Sequence, residues 1–291
     1  MHFPISPSLT LLTLPLLIPQ ATAWGSLGHR TVAYLASMHF TAQSNILTNV
    51  LLNGQDISEA ALFPDKVRHM PAFAYSAHWH FIDARDSPPA QCGINMTRDC
   101  LAADGGCVVS AIANHTARVA DVKLERFFRG QSLRFMMHFF GDVHQPLHTE
   151  AEGRGGNDIP VVLDGVHTNL HSVWDTAIPK KHAGGAVGGG VEGEMEAAWA
   201  WATRLYGVRD GMQEKECVSD APACALEWAS EVNSYVCSYV MADGYKDQDL
   251  NGTYYDGAVP IIDDLVGKAG RRLAAWINAI SGQEGLALQT Q

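Results

Sequence analysis

The sequence predicts an all-α domain: a single, mainly helical unit with one small β-hairpin. Three observations lead there. Apolar residues recur at helical spacing over residues 109–128, 130–145, 193–208, 225–243 and 257–281. Only residues 159–166 read as a strand, and they run into an Asp164-Gly165 hairpin turn. No internal repeat or interdomain linker breaks the chain. The Gly-rich run near 184–190 is read as a surface loop. No strand precedes it and no Lys-Ser/Thr follows, so it is not a phosphate cradle.

Taken in order, a first helix starts near Trp24 and runs through Ala36, and a second covers 42–53. His78-Trp79-His80, if extended, puts both histidines on one side. The helix at 109–128 follows, then the one at 130–145, which Pro146 ends because proline lacks a backbone donor. After the hairpin come a short helix near 171–178 and the three long ones already named.

Residues 1–23 carry no charged side chain. Their apolar core, 9–18, is too short to span a membrane, and Ala21 and Ala23 form an Ala-x-Ala pattern. We expect a secretory signal cleaved before Trp24, leaving 24–291 as one domain; a retained apolar helix is the alternative reading. Six cysteines, an even number, suggest disulfides in an exported chain. Pairing the close neighbours Cys100/Cys107 and Cys217/Cys224 would leave Cys92 with Cys237, but sequence alone does not give the connectivity. No C-x-x-C is present, which argues against a thiolate zinc site. The sequons at Asn95, Asn114 and Asn251 fit a glycosylated secreted protein. The net charge of −11 argues against a Lys/Arg surface that grips long polyanions, but leaves room for a small site made positive by metal ions.

The chemistry lies in histidine and aspartate. His138 and Asp142 stand four apart, as do His171 and Asp175, so each pair shares a helix face. Imidazole and carboxylate together suit zinc. One such pair is more often a helix salt link; two pairs plus His148 just past Pro146 are harder to explain that way. Asp65 after Pro64 also fits a helix cap, His29 a core histidine, and His80 a buried aromatic-rich segment. Trp24 differs: once freed, its α-amino group and carbonyl oxygen form a chelate. His115 lies inside a sequon and is expected at the surface; His144 lies off the His138/Asp142 face and His167 in the hairpin. None of these three is expected to be a ligand.

Together, Trp24-Gly25-x-Leu27-Gly28-His29, His80-Phe81-Ile82-Asp83, His138-x-x-Gly141-Asp142-x-His144-Gln145-Pro146-Leu147-His148, Gly155-Gly156-Asn157-Asp158 and Asn169-Leu170-His171-x-x-Trp174-Asp175 resemble the nuclease S1/P1 family. These are secreted zinc-dependent single-strand nucleases of fungi and plants. The similarity runs from Trp24 to the last helix near Ile280. It implies the helical fold of the zinc phospholipase C and nuclease P1 type, around three Zn2+ ions in a cleft. By the resemblance, Asp65, His80, His138 and Asp142 hold one zinc. Trp24, His29 and Asp142 hold its neighbour, and His148, His171 and Asp175 a third. A metal-activated water held among the first two groups is then the nucleophile. Phe81 stacks a base, Asp83 hydrogen-bonds its edge and Arg68 lies near the phosphate. The family pairing is Cys92–Cys237 and Cys100–Cys107. Pro64, a longer Cys100–Cys107 loop and an extra Cys217/Cys224 bridge depart from the family pattern.

The implied activity is hydrolysis of single-stranded DNA and RNA to 5′-phosphate products, with 3′-nucleotidase activity, by a monomer that needs no membrane. Single-strand preference follows because duplex bases are already stacked and paired. The rival readings are a zinc phospholipase C-like phosphodiesterase and a non-catalytic secreted zinc-binding protein.

Overall fold

Twelve α-helices and one two-stranded sheet occupy the described residues of a computed structural model, 24–184, 189–208, 218–242, 245, 246 and 248–289. The first part of the chain forms α1 (Gly25–Met38), α2 (Ala42–Leu52), α3 (Ile57–Ala61) and α4 (Phe63–Val67). A 3-10 segment, Pro71–His80, leads on to α5 (Met96–Asp99), α6 (Val108–Ala120) and α7 (Arg126–Asp142). A 3-10 turn at Pro146–Thr149 precedes the hairpin of β1 (Pro160–Leu163) and β2 (Val166–Asn169). Then come α8 (Leu170–Ser172), a π turn at Val173–Ala177, α9 (Ile178–His182) and α10 (Gly190–Tyr206). The fold closes with α11 (Ala221–Tyr235), a second π turn at Val236–Val240 and α12 (Thr253–Gln289). No described helix is long and apolar enough to cross a membrane.

Local chemistry sets the boundaries. Thr41 caps α2 by accepting from Ser44 N, and Asp56 caps α3 by accepting from Ser58 N and Glu59 N. Pro64 opens α4, where its missing donor costs nothing. Asp164 and Gly165 both take positive φ, 52° and 73°, as a two-residue turn that matches strand twist requires. The hairpin pairs Leu163 with Val166 and Pro160 with Asn169.

Several segments depart from expectation; α12, expected over 257–281, runs over Thr253–Gln289. The helix expected over 109–128 stops at Ala120, because the Asp121 side chain accepts from Lys123 N and favours a turn. The next helix therefore begins at Arg126 instead of residue 130. Residues 78–80 are 3-10 helix instead of extended, so His78 is exposed while His80 is buried. The helix expected over 225–243 starts at Ala221 and passes into a π turn at Val236. Helices α3, α4 and α5 are too short to show a period in sequence. The Gly-rich residues 185–188 lie outside the described residues.

Helix α1 is the centre of the molecule. All its residues except Ser26, Ser37 and Met38 are buried, and it packs against α10, α12 and α3. Buried Arg30 ties it down: its guanidinium donates to Ser58 Oγ and bonds the carboxylates of Glu59 and Glu194. That pairing offsets the desolvation an unpaired charge would suffer. Helix α7 packs against α6 and is buried from Met136 onward.

His115 corrects a sequence expectation. Asn114 is exposed, as its sequon requires, yet His115 is buried and stacks on Phe135 with ring centroids 4.8 Å apart. Neighbouring residues on a helix point in different directions, so a sequon fixes only its asparagine's exposure. Asn95 and Asn251 are exposed as well, and so is His167. Cys92 is bonded to Cys237 and Cys100 to Cys107, the pairs the resemblance implies. The expected Cys217–Cys224 bridge lies outside the described residues, because Cys217 does.

Candidate metal centre and catalytic pocket

Helix α7 is the backbone of the site. Its last turn presents His138 and Asp142 on one face, with His138 Nε2 3.4 Å from Asp142 Oδ2. His29, from α1, reaches the other oxygen: its Nε2 lies 3.2 Å from Asp142 Oδ1. The imidazoles of His29 and His138 stack 3.8 Å apart and 11° from parallel. Gly141 permits this approach, since a Cβ there would lie 2.6 Å from His29 Nδ1.

On the other side of Asp142, His80 Nδ1 is 3.0 Å from Oδ2 and 3.7 Å from Asp65 Oδ1. Asp65 Oδ1 is also 3.6 Å from His138 Nε2. Asp142 therefore faces two groups at once, one through each oxygen. A third group stands apart from these. His171 Nε2 is 2.9 Å from Asp175 Oδ2, and His148 Nε2 is 4.0 Å from Asp175 Oδ1. The π turn carries Asp175, so this pair sits where helical winding changes.

Backbone carbonyls orient the rings. Nδ1 of His138 donates to Ala61 O at 2.8 Å, that of His148 to His80 O at 2.6 Å, and that of His171 to Gly155 O at 2.6 Å. A carbonyl can only accept, so each ring keeps its Nε2 lone pair for the group it faces. The His80 carbonyl thus links the first groups to the third. Gln145 Nε2 donates to Asp175 Oδ1 and aims that carboxylate.

These residues fit a metal, judged by their hydrogen bonding. His29 Nε2, Asp65 Oδ1, Asp142 Oδ1, His148 Nε2 and Asp175 Oδ2 are all buried with no hydrogen-bond partner. Orphaned buried polar atoms are costly, and here they converge in three groups of nitrogen and oxygen donors. Protonation agrees for three of the five imidazoles. Burial holds His29 and His80 below the usual histidine range and brings His148 down to about 4, whereas burial is outweighed at His138 by Asp142 and Asp65 and at His171 by Asp175, which raise those two rings, so a metal has to displace their protons. Burial opposes ionisation of Asp142, yet His138, His29 and His80 outweigh it and draw the carboxyl well down; His138, His80 and Arg68 do the same for Asp65. Neutral imidazole and ionised carboxylate are the binding forms.

Beside these groups is a pocket of about 340 Å³, whose lining includes His80, His148 and His171 together with Phe81, Asp83 and Arg68. All three substrate-contact residues suggested by the sequence resemblance are therefore brought to one cavity with donors from separate groups. Trp24 is buried at the head of α1, and a small cavity there is lined by Trp24, Asp175 and Thr176. The region before it, 1–23, lies outside the described residues. His144 is buried but points away, pairing with Phe140 O and Arg272.

A family model described as S1/P1 Nuclease matches residues 24–282. The chain belongs to the S1/P1 nuclease family. It is 39% identical to Nuclease P1 of Penicillium citrinum over 276 residues, 90% of this chain and 99% of that one. Nuclease S1 of Aspergillus oryzae is 36% identical over 89% of this chain and 92% of its own. Endonuclease 4 of Arabidopsis thaliana is 29% identical over 93% of each. As a member of this family the protein is an enzyme, a phosphodiester hydrolase acting on nucleic acid.

Sequence reasoning missed three parts of the site. Gln145 sits in a quoted motif but received no role; its placement before Pro146, which biases it to extended backbone, was the available signal. Glu150 also lines the pocket, where burial and nearby Asp86 push its carboxyl up to about 8. Its two neighbours in the pocket, Arg154 and Asn157, come from the loop before the hairpin.

Proposed function

We propose that this nuclease is a secreted, monomeric, three-zinc endonuclease that cuts single-stranded DNA and RNA, leaves 5′-phosphate ends and acts as a 3′-nucleotidase. The observation that carries this reading is the convergence of orphaned, buried donors beside an aromatic side chain and an arginine. Asp65, His80, His138 and Asp142 would hold one zinc; Trp24, His29 and Asp142 the second; His148, His171 and Asp175 the third. Zinc accepts this mixture of N and O donors, and when bound it acidifies water and neutralises charge on phosphate oxygens.

The side chains supply position and selectivity. Asp142, with one oxygen toward His29 and the other toward His80, is placed to bridge. Phe81 offers a face on which one unpaired base can stack, which a paired base in a duplex cannot use. Asp83, whose carboxyl burial pushes up, presents polar atoms to a base edge. Arg68 brings positive charge to the same pocket for a phosphate. In this reading residues 1–23 are the secretory signal, 24–291 the nuclease domain, and Trp24 the mature N-terminus, whose free amine completes the second group. Asn95, Asn114 and Asn251 are then open to glycosylation.

Metal analysis of the secreted protein, with single-stranded DNA digestion before and after chelation, tests the proposal. The expected result is about three zinc per chain, as the donor grouping suggests, and cleavage that chelation abolishes and zinc restores. Full cleavage by metal-free protein would refute it.

A further inference from the structure

Beside the start of α7 lie two adjoining grooves of about 570 and 450 Å³, which share Val50, Leu51 and Arg126. Among the described residues Arg126, Arg129 and Arg134 line them and no acidic side chain does; Arg129 donates to Val119 O and Arg134 to Gln55 Oε1. Large apolar side chains stand open to solvent there: Phe127 is 70% exposed, Ile46 66% and Val122 62%. Phe127 lines one groove and meets exposed Phe128 edge-on, with ring centroids 5.4 Å apart.

Charge placement indicates the missing partner. The first turn of α7 contains no acidic residue, and its N-cap, Glu125, makes no side-chain capping bond. Arg126 occupies that turn instead, where the helix dipole disfavours a cation. Its guanidinium has no ion pair or side-chain hydrogen bond among the described residues. An anion bound between Arg126 and the open N–H groups would satisfy both. Phosphates flanked by aromatic faces are the pattern of single-stranded nucleic acid.

We propose that this groove is a second binding site for single-stranded nucleic acid, in which Phe127 stacks a base and Arg126 holds a backbone phosphate of the strand being cut. The proposal rests on the nuclease reading above. Helix α7 links the two sites: Arg126 and Phe127 stand in its first turn, His138 and Asp142 in its last. At ~1.5 Å per residue that separation is roughly 22 Å. A strand leaving the catalytic pocket past Arg68 thus needs several nucleotides to reach the groove. Dinucleotides are too short to fill both sites.

The test compares hydrolysis of a long thymidine homopolymer with that of a dinucleoside monophosphate, using the zinc-loaded enzyme and the doubly substituted Arg126→Ala/Phe127→Ala variant. Both side chains are exposed, so the fold is expected to persist. For the homopolymer KM should rise about tenfold and the salt dependence should weaken by about one phosphate contact, with kcat held. Kinetics on the dinucleoside should not change. An unchanged homopolymer KM, or equal losses on both substrates, would overturn the second site. Vesicles of phosphatidylserine and phosphatidylcholine provide the control. If they bind wild type but not the variant while homopolymer kinetics stay equal, the groove is a membrane surface and the proposal fails. Failure of wild type on the dinucleoside would instead count against the nuclease reading itself.

Discussion

Asp142 shows how much one residue can organise when both its oxygens have separate partners. Oδ1 meets His29 from α1, and Oδ2 meets His80 and His138. The His138–Asp142 spacing was legible in the sequence because it lies within a single helix. His29 and His80 carry no such local spacing; the resemblance of the motifs around them is what grouped them with Asp142. His115 makes the opposite point: a histidine can be buried for packing alone. Surrounded by Trp79, Phe135 and Phe139, its imidazole is pushed by burial to about 3, against 6.5 for the free side chain. Between those values the unfolded chain binds a proton that the folded chain does not. His115 therefore leaves stability intact above pH 6.5 and removes it as pH falls from 6.5 toward 3, by up to about 1.4 kcal/mol per pH unit. Replacing His115→Phe, which preserves the stack, should flatten the acid limb of stability measured by denaturant titration. Parallel acid limbs for variant and wild type would exclude this role.

Elements meet at the site only because backbones approach closely. Helices α1 and α7 come near enough for His29 to lie flat on His138, and Gly141 leaves the room. Gly141→Ala should cost about 1–3 kcal/mol, since the new methyl group drives into a packed ring. The same change should displace His29 from Asp142 and lower zinc content along with activity. Equal thermal stability and equal zinc in the variant would contradict it. The 3-10 segment before Phe81 is a second case. Read as extended, it put His78 and His80 on one face; wound as a 3-10 helix, it sends His80 inward to Asp142 and leaves His78 in solvent. Periodicity of two and of three cannot be told apart over so few residues, and burial of His80 against α7 decides between them.

Across the whole molecule, the site gathers residues from the head of α1 to the π turn at 173–177, while α10 and α12 hold α1 in place from behind. The start of α1 lies against the segment carrying Asp175, beside the third donor group. If Trp24 is the mature N-terminus, a single residue added before it converts the chelating amine into an amide. Such a protein should lose one zinc per chain and most of its nuclease rate, and full metal content at full rate would rule the chelate out. The distant groove adds the other large-scale expectation, a substrate-length dependence that the catalytic pocket alone does not produce.

By itself the sequence determined the helical class, the hairpin, the paired His–Asp faces and the family, because each is written in local spacing or in contiguous motifs. Tertiary structure alone decided that His80 turns inward while His78 faces solvent, that Gln145 aims Asp175, and that His115 belongs to the core. It also decided that Arg126 and Phe127 border one groove. These depend on distances between residues far apart in the chain, which are set by how α1, α4 and α7 pack, and no local pattern records that packing.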